Sequence, residues 1–301
     1  MNKSSHDFIF SNKKISDHFY IVTEHCFRHK VSCIYVLVGA KKILVVDTGL
    51  GLGRSLYQYV KELLDTQLPL ICICTHGHPD CIGGIGQFEE VYLHEKDIEA
   101  FPAFFTMQGR LKNLRLIEQN DNVMIDYNEE KLFPNDAICT PVSDGTRLDL
   151  GDIYVKVIDM PGHTPGSIIL QVTASECKDF YLVGDCFNAD VTYLTSLNSR
   201  LDLLNYAALL RRFYTDIGPE ANCYCSHMPC PLSPEIALDV ATNCEEIAAS
   251  CIGGDISFVS VKHTGGQAVP LSLHLCRNTK VIYSSKIINT DNAEGGNCYE
   301  C

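Results

Sequence analysis

The feature that most constrains this chain is a short polar segment placed directly after a strongly apolar run. Residues 70–74 (LICIC) form a continuous apolar stretch, typical of a strand that is buried on both faces. The segment HGHPDC follows at residues 76–81. Its two histidines and its aspartate alternate with Gly77 and Pro79, so their ligand atoms can converge on one side of a turning backbone. Imidazole and carboxylate together suit zinc, and also iron or manganese.

Three later residues occupy the same kind of position in the sequence. His163 lies in a turn between two predicted strands, and Asp185 and His227 each end an apolar run. Any one of them alone would more often be an ordinary loop or cap residue. Because α/β proteins collect polar groups at the carboxyl ends of their strands, the shared placement predicts a common site.

The wider pattern mixes strands and helices with short turns, which favours a layered α/β architecture. Apolar periodicity predicts helices over about 54–65, 199–215 and 233–251. Strands are predicted over 18–25, 33–47 (two strands), 70–74, 91–93, 153–158, 167–172, 180–183, 256–261 and 280–287.

The ordered motifs VVDTGLG, THGHPDC, MPGHTPGS, VGDC and SHMP, spread over residues 20–250, resemble those of the metallo-β-lactamase-fold hydrolases. The resemblance implies a four-layer αββα sandwich of two mixed sheets flanked by helices, with metal ions at the edge of the sheets. Six side chains would hold two metal ions: His76, His78 and His163 the first, Asp80 and His227 the second, and Asp185 both. Asp47, in the first motif, would orient these ligands without touching a metal.

One position departs from the family pattern. The family motif places histidine directly after the aspartate, whereas this chain has Cys81. A thiolate is a good zinc ligand, so we predict that Cys81 binds the second metal through sulfur. The alternative is that Cys81 does not bind and that the second site is weak or empty. Cys186 and Cys225 are further candidate thiolates, and the predicted cofactor is two Zn²⁺ per chain, with iron or manganese as alternatives.

The resemblance implies a hydrolase in which a metal-bound hydroxide, oriented by Asp80, attacks a carbonyl carbon. Three stretches, CIYVLVGAKKILVVDTGLG, GGIGQFEEVYLHEKD and LDLGDIYVKVIDMPGHTPGSIIL, are similar to the acyl-coenzyme A thioesterase branch, and the layout is similar to hydroxyacylglutathione hydrolase. The implied substrate is therefore a small-molecule thioester of the acyl-CoA or acyl-glutathione type. The alternatives are a lactonase or β-lactamase-type hydrolase, and a degenerate metal-binding protein without turnover.

Residues 101–140 differ from the main pattern and are predicted to be an insertion in a single domain that covers residues 1–301, with a tail at about 289–301. The aromatic stretch at 101–107 could shelter an acyl chain, and Arg110, Lys112 and Arg115 could bind the phosphates of coenzyme A. The simpler interpretation is a core-facing aromatic cluster beside a solvated basic helix face.

The composition bears on nucleic-acid binding, on localisation and on the state of the cysteines. The formal net charge is −13, so a general nucleic-acid role is disfavoured, because such proteins usually present a basic face. No run of about 18 apolar residues and no signal-peptide core occur, which predicts a cytoplasmic protein without a transmembrane segment. The sixteen cysteines are expected to be mostly free and buried. Nothing in the sequence indicates an oligomeric state.

Overall fold

The protein is represented by a computed structural model that describes residues 10–27, 30–121, 137–174, 177–260 and 269–289. Much of the predicted insertion, at 122–136, lies outside the described residues, and so does the tail from residue 290 onward. Strands and helices are numbered below in chain order.

The first sheet contains seven strands in sequence order. Its strands are β1 (Phe10–Ser16), β2 (Phe19–Phe27), β3 (Lys30–Val38), β4 (Ile43–Val46), β5 (Leu70–Ile73), β6 (Val91–His94) and β7 (Cys139–Val142). Strands β1 to β4 are joined as antiparallel neighbours, whereas β4 to β7 run parallel. At the centre of the sheet, every residue of β4 and β5 is buried.

Two further sheets complete the strand structure of the described residues. The five-stranded sheet has the order β13-β11-β10-β9-β8, and the four-stranded sheet has the order β12-β16-β15-β14. Their strands are β8 (Arg147–Asp149), β9 (Ile153–Asp159), β10 (Ile168–Ala174), β11 (Cys177–Gly184), β12 (Val191–Leu194), β13 (Asn222–Cys225), β14 (Ile256–Ser260), β15 (Val269–Cys276) and β16 (Thr279–Ser284). The resemblance implied two sheets, and of the third sheet the sequence analysis predicted the strands β14 and β16, over 256–261 and 280–287, but not β12 or β15.

Seven helices connect and cover these sheets within the described ranges. They are α1 (Leu56–Leu64), α2 (Pro79–Ile82), α3 (Glu95–Ala100), α4 (Met107–Asp121), α5 (Arg200–Ile217), α6 (Glu235–Ala248) and α7 (Lys286–Asn289), with short 3-10 helices at Ile85–Gln87 and Pro102–Phe105. Ser55 caps α1 by accepting a hydrogen bond from the backbone N–H of Gln58, and Ser199 caps α5 in the same way from Asp202. No helix in the described ranges combines the length and apolar character needed to cross a membrane.

The apolar residues are divided into three cores that define four layers. Inward side chains of the seven-stranded and five-stranded sheets, such as Tyr35 and Leu170, pack against each other in the central core. On the outer face of the first sheet, Val45 packs with Val60 of α1. On the outer face of the second, Val183 packs with Leu210 of α5 and with α6. Helix, sheet, sheet and helix therefore stack in the αββα order that the resemblance implied.

The two large sheets meet at the edge where their parallel strands end. The backbone N–H of Ile168, at the start of β10, donates to the carbonyl of Thr75, which follows β5, at 2.9 Å. The N–H of Cys33 donates to the carbonyl of Ser226, after β13, at 2.7 Å. The loops that follow β4, β5, β9, β11 and β13 are thereby brought to one rim of the sandwich.

Candidate metal centre

The segment HGHPDC changes from extended to helical backbone at its proline. His78 has extended dihedral angles (φ −78°, ψ 153°), and Pro79 begins the short helix α2. Proline suits this first helical position because its ring fixes φ and the missing N–H has no intrahelical partner to lose. The backbone N–H groups of Cys81 and Ile82 then donate to the His78 carbonyl at 2.9 and 3.0 Å. The two histidines consequently precede the helix, while Asp80 lies within it.

Three buried histidines converge at the rim; we call His76, His78 and His163 the inner set. A ligand nitrogen from each lies within 4.8 Å of the others, and Nδ1 of His78 is 2.9 Å from Nε2 of His163. Nδ1 of His163 is 2.8 Å from the carbonyl of Tyr193, so that contact holds the ring with Nε2 directed to the centre. Their exposed fractions are only 1%, 2% and 3%. Three converging imidazoles of this kind match the donor set of a zinc site.

Asp80, Cys81 and His227 lie beside the inner set and form what we call the outer set. Nε2 of His227 is 3.6 Å from a carboxylate oxygen of Asp80, and Sγ of Cys81 is 3.6 Å from Nδ1 of His76. Cys81 and Asp80 can share an ion with His76, since these ligand atoms also lie within 4.8 Å of one another. His227 and Asp80 are 33% and 30% exposed, so this end of the centre opens to solvent.

Asp185 lies between the two sets. Its Oδ2 is 3.2 Å from Nε2 of His227, 3.5 Å from that of His163 and 3.9 Å from that of His76. Burial alone would raise the pKa of Asp185, but the three imidazoles bring it well below its usual value. Among the described residues, its other oxygen, Oδ1, is buried without a hydrogen-bond partner. An unpaired buried carboxylate oxygen is costly, and a cation at this point would compensate it. The residues present therefore fit a metal ion.

The pKa values of His227 and Cys81 determine how the outer set would bind a cation. Burial would lower the pKa of His227, yet the ion pair and hydrogen bond with Asp185 raise it to about 10. Burial raises the pKa of the Cys81 thiol well above its usual value, and nearby carboxylates add to this effect. Without a metal, a proton therefore occupies both groups, and an ion that binds them must displace those protons.

Asp47 acts on the inner set through Thr75. Its carboxylate accepts hydrogen bonds from the backbone N–H of Thr75 at 2.7 Å and from the hydroxyl at 3.0 Å, and that hydroxyl is 3.1 Å from Nδ1 of His76. Burial raises the pKa of Asp47 to about 7. Its φ of 64° is unusual for a residue with a side chain, and such strain is typical of functional sites.

The other candidate thiols lie apart from the converging ligand atoms. Cys186 directs its sulfur at the carbonyls of Met160 and Ile168, at 3.9 and 3.8 Å. Among the described residues, the groups of three that could hold an ion include Cys81 but neither Cys186 nor Cys225. The eleven cysteines whose side chains the structure describes are free thiols, and eight of them are buried.

The three predicted phosphate-binding residues of α4 do not share one environment. Lys112 and Arg115 are exposed, but Arg110 is only 3% exposed. Its guanidinium donates to the carbonyl of Leu50 at 3.0 Å, and burial lowers its pKa to about 10 in spite of the nearby Glu24. Arg110 thus faces the protein interior, where it joins α4 to the loop after β4. This placement does not favour the prediction that Arg110 binds the phosphates of coenzyme A, whereas for Lys112 and Arg115 it stays a prediction.

Sequence reasoning missed Asp97 of α3, which contacts the backbone of both loops that carry the inner set. A lone aspartate beyond the histidine motif gives no metal-ligand spacing. The sequence signal is indirect: each of those loops contains a glycine, Gly77 and Gly166, at the point of contact.

Comparison with known proteins agrees with this geometry. The family model of the Metallo-beta-lactamase superfamily matches residues 29–221. The chain is 28% identical over 215 residues to the human acyl-coenzyme A thioesterase MBLAC2, covering 66% of this chain and 71% of that protein. It is 26% identical over 182 residues to the probable metallo-hydrolase YqgX of Bacillus subtilis, covering 56% and 77%. A metallo-beta-lactamase family protein of Thermus thermophilus superposes with a TM-score of 0.53 at 21% identity, over 79% of this chain and 80% of that one, which supports the fold alone.

Proposed function

The chain belongs to the metallo-beta-lactamase superfamily as a metallo-hydrolase, and from this premise we propose that it cleaves a thioester of the acyl-CoA or acyl-glutathione type. The observation that carries the proposal is the 28% identity to a relative named as an acyl-coenzyme A thioesterase, which extends over 215 residues. We further propose that the chain folds as one domain and takes two zinc ions, one per ligand set.

The inner set, the outer set and Asp185 would hold these ions. A bound zinc ion polarises a carbonyl group and lowers the pKa of a coordinated water to about 7. Asp80, at the solvent-facing end, would orient the attacking water through its carboxylate. His227 and Asp185 would each give up their mutual hydrogen bond to bind metal. This chemistry requires no serine or cysteine nucleophile.

An aromatic wall beside the inner set suits the acyl side of the substrate. The ring of Phe101 lies 5.3 Å from that of His78 and stacks on Phe104 at 5.6 Å. Phe104 is buried in the core, whereas Phe101 is only partly buried. Phe101 would therefore contact the acyl chain while Phe104 supports it from behind. In this proposal, Lys112 and Arg115 bind the coenzyme A phosphates, since the side chain of Arg110 is directed inward.

A substrate panel tests the proposal directly. Purified zinc-loaded and iron-loaded protein is assayed on acyl-CoA esters of graded chain length, an acyl-glutathione, a lactone, a β-lactam and a phosphodiester. We expect thiol release from a thioester to give the largest kcat/KM, and the His163→Ala variant to serve as the inactive control. Faster hydrolysis of the lactone or the β-lactam would replace the thioesterase assignment by that activity.

Metal content separates an enzyme from a degenerate binding protein. Mass spectrometry of protein purified without chelator is expected to give about two zinc ions per chain. Less than about half an equivalent of any transition metal would overturn the proposed centre. Full metal content with no turnover on the entire panel would instead support a binding role without catalysis.

A further inference from the structure

We propose that Asp97 is a positioning residue that holds the two loops of the inner set in register. The inference rests on the proposed metal centre, but it is independent of which ester is cleaved. Asp97 lies on α3, in the first sheet's half of the sandwich, and its side chain is fully buried. It is not itself a member of either ligand set.

Three hydrogen bonds join the Asp97 carboxylate to both loops. Oδ2 accepts from the backbone N–H of Gly77, between His76 and His78, at 2.7 Å. The same oxygen accepts from the hydroxyl of Thr164, the residue after His163, at 2.7 Å. Oδ1 accepts from the backbone N–H of Gly166 at 2.7 Å. One carboxylate therefore fixes the distance between the two segments that must bring their imidazoles together.

The glycines in both loops are required by the closeness of Asp97. A Cβ at Gly166 would lie 2.8 Å from the carboxylate carbon of Asp97. A Cβ at Gly77 would lie 3.1 Å from the Cβ of Asp97 and 2.7 Å from the ring of Phe101. Any side chain at these positions would push the loops away from the carboxylate. The glycine of each metal-binding motif thus has a steric reason that involves the same residue.

The chemistry at this point needs a carboxylate rather than an amide. All three partners are donors, and an ionised carboxylate offers only acceptor atoms, with room for all of them. Asparagine would keep the shape but turn an NH₂ group toward at least one N–H or O–H donor. That unfavourable contact would shift one loop relative to the other while leaving the ligands themselves intact.

The test compares Asp97→Asn with Asp255→Asn in the full chain. Asp255 is the control because its side chain is only 8% exposed and its carboxylate lies 2.7 Å from the hydroxyl of Tyr283 and 2.6 Å from Nδ1 of His274, but it lies by the third sheet. Zinc affinity is measured by chelator competition, and ligand geometry by the visible absorption of the Co²⁺-substituted protein. A purely structural role would change thermal stability in both variants and neither of these readouts.

We expect Asp97→Asn to weaken zinc binding roughly 10- to 100-fold and to alter the cobalt spectrum. Asp255→Asn should retain wild-type affinity and spectrum. Thr164→Val removes one of the three hydrogen bonds to Asp97, together with a 2.7 Å contact to the hydroxyl of Ser167, so it should give a smaller change. It also covers the case in which Asp97→Asn does not fold. Combined with Asp97→Asn, it should add less than its single effect, because both act through one contact.

Wild-type zinc affinity and an unchanged cobalt spectrum in Asp97→Asn would overturn this inference and leave the metal centre standing. If Asp97→Asn does not fold, wild-type zinc affinity and an unchanged cobalt spectrum in Thr164→Val would overturn the inference instead. A wild-type protein that binds no metal would overturn the proposed function and, with it, this role for Asp97.

Discussion

The inner and outer sets are neighbours, yet they differ in almost every physical property. The inner set consists of three imidazoles that are at most 3% exposed. The outer set combines a carboxylate, a thiol and an imidazole, and two of these side chains are about one-third exposed. Closed sites of uniform ligands hold metal firmly, whereas sites with an open side leave room for water and substrate. The difference indicates that the inner set provides affinity and the outer set provides access.

The largest effect is expected from loss of an inner imidazole. His163→Ala should abolish tight metal binding and lower kcat/KM by on the order of 10³-fold, because several kcal/mol of electrophilic stabilisation is lost. Metal content and steady-state kinetics measure both. His274→Ala, a buried histidine at the third sheet, is the matched control and should retain both metal ions. Retention of two equivalents in His163→Ala would mean that the inner set is not the anchor.

Loss of an outer imidazole should be milder. His227→Ala is expected to keep about one metal equivalent and to lower kcat/KM roughly 10- to 100-fold, since the inner set and Asp185 remain. Stepwise metal titration followed by kinetics separates the two equivalents. If this variant lost both ions as completely as His163→Ala, the two sets would not differ in their contribution to metal affinity.

The pH should affect mainly the metal affinity of the outer set. The His227 pKa of about 10 in the metal-free protein lies above the ordinary value, so this imidazole is protonated at neutral pH and metal binding must expel the proton. Affinity for the second equivalent should therefore rise about tenfold per pH unit for each proton released, and so about a hundredfold per unit when His227 and Cys81 both bind, from about pH 6.5 to about pH 8.5. Chelator competition at several pH values measures this slope, and a flat line would show that His227 does not bind the ion.

The smallest effect is expected at the position that departs from the family pattern. Cys81→His exchanges one zinc ligand for another, so thioesterase activity should be kept or should rise by a few-fold. Cys81→Ser, which removes the thiolate at nearly constant size, is the control and should weaken only the second equivalent. A fall of Cys81→His activity to background would show that the thiolate itself is essential.

The convergence of the candidate ligands was the most predictable part of the molecule, whereas metal binding by them stays a prediction. Short motifs placed all seven candidate ligands, and the structure brings them to one rim, because each follows a strand that its own apolar run defines. Predicted helices at 54–65, 199–215 and 233–251 correspond to α1, α5 and α6, with boundaries that differ by a few residues.

The features that the sequence analysis did not predict depend on contacts between distant segments of the chain. Arg110 lies two positions from the exposed Gln108 and Lys112 on α4, and its hydrogen bond to the carbonyl of Leu50 and the charge of nearby Glu24 stabilise its inward orientation. Asp97 gains its significance from glycines about 20 and 69 positions away in the chain. The third sheet forms because β16 pairs with β12, some 90 residues earlier. Local periodicity carries no information about such pairs.

The candidate metal ligands come from both halves of the sandwich: His76, His78 and Asp80 follow a strand of the first sheet, while His163, Asp185 and His227 belong to the second. An ion held by all of them would cross-link two layers that otherwise adhere through apolar contact and a few hydrogen bonds. Since a ligand that binds only the folded state stabilises it in proportion to the logarithm of its free concentration, resistance to heat and proteolysis would vary with the supply of metal. The lifetime of the folded chain would then depend on the concentration of free metal around it.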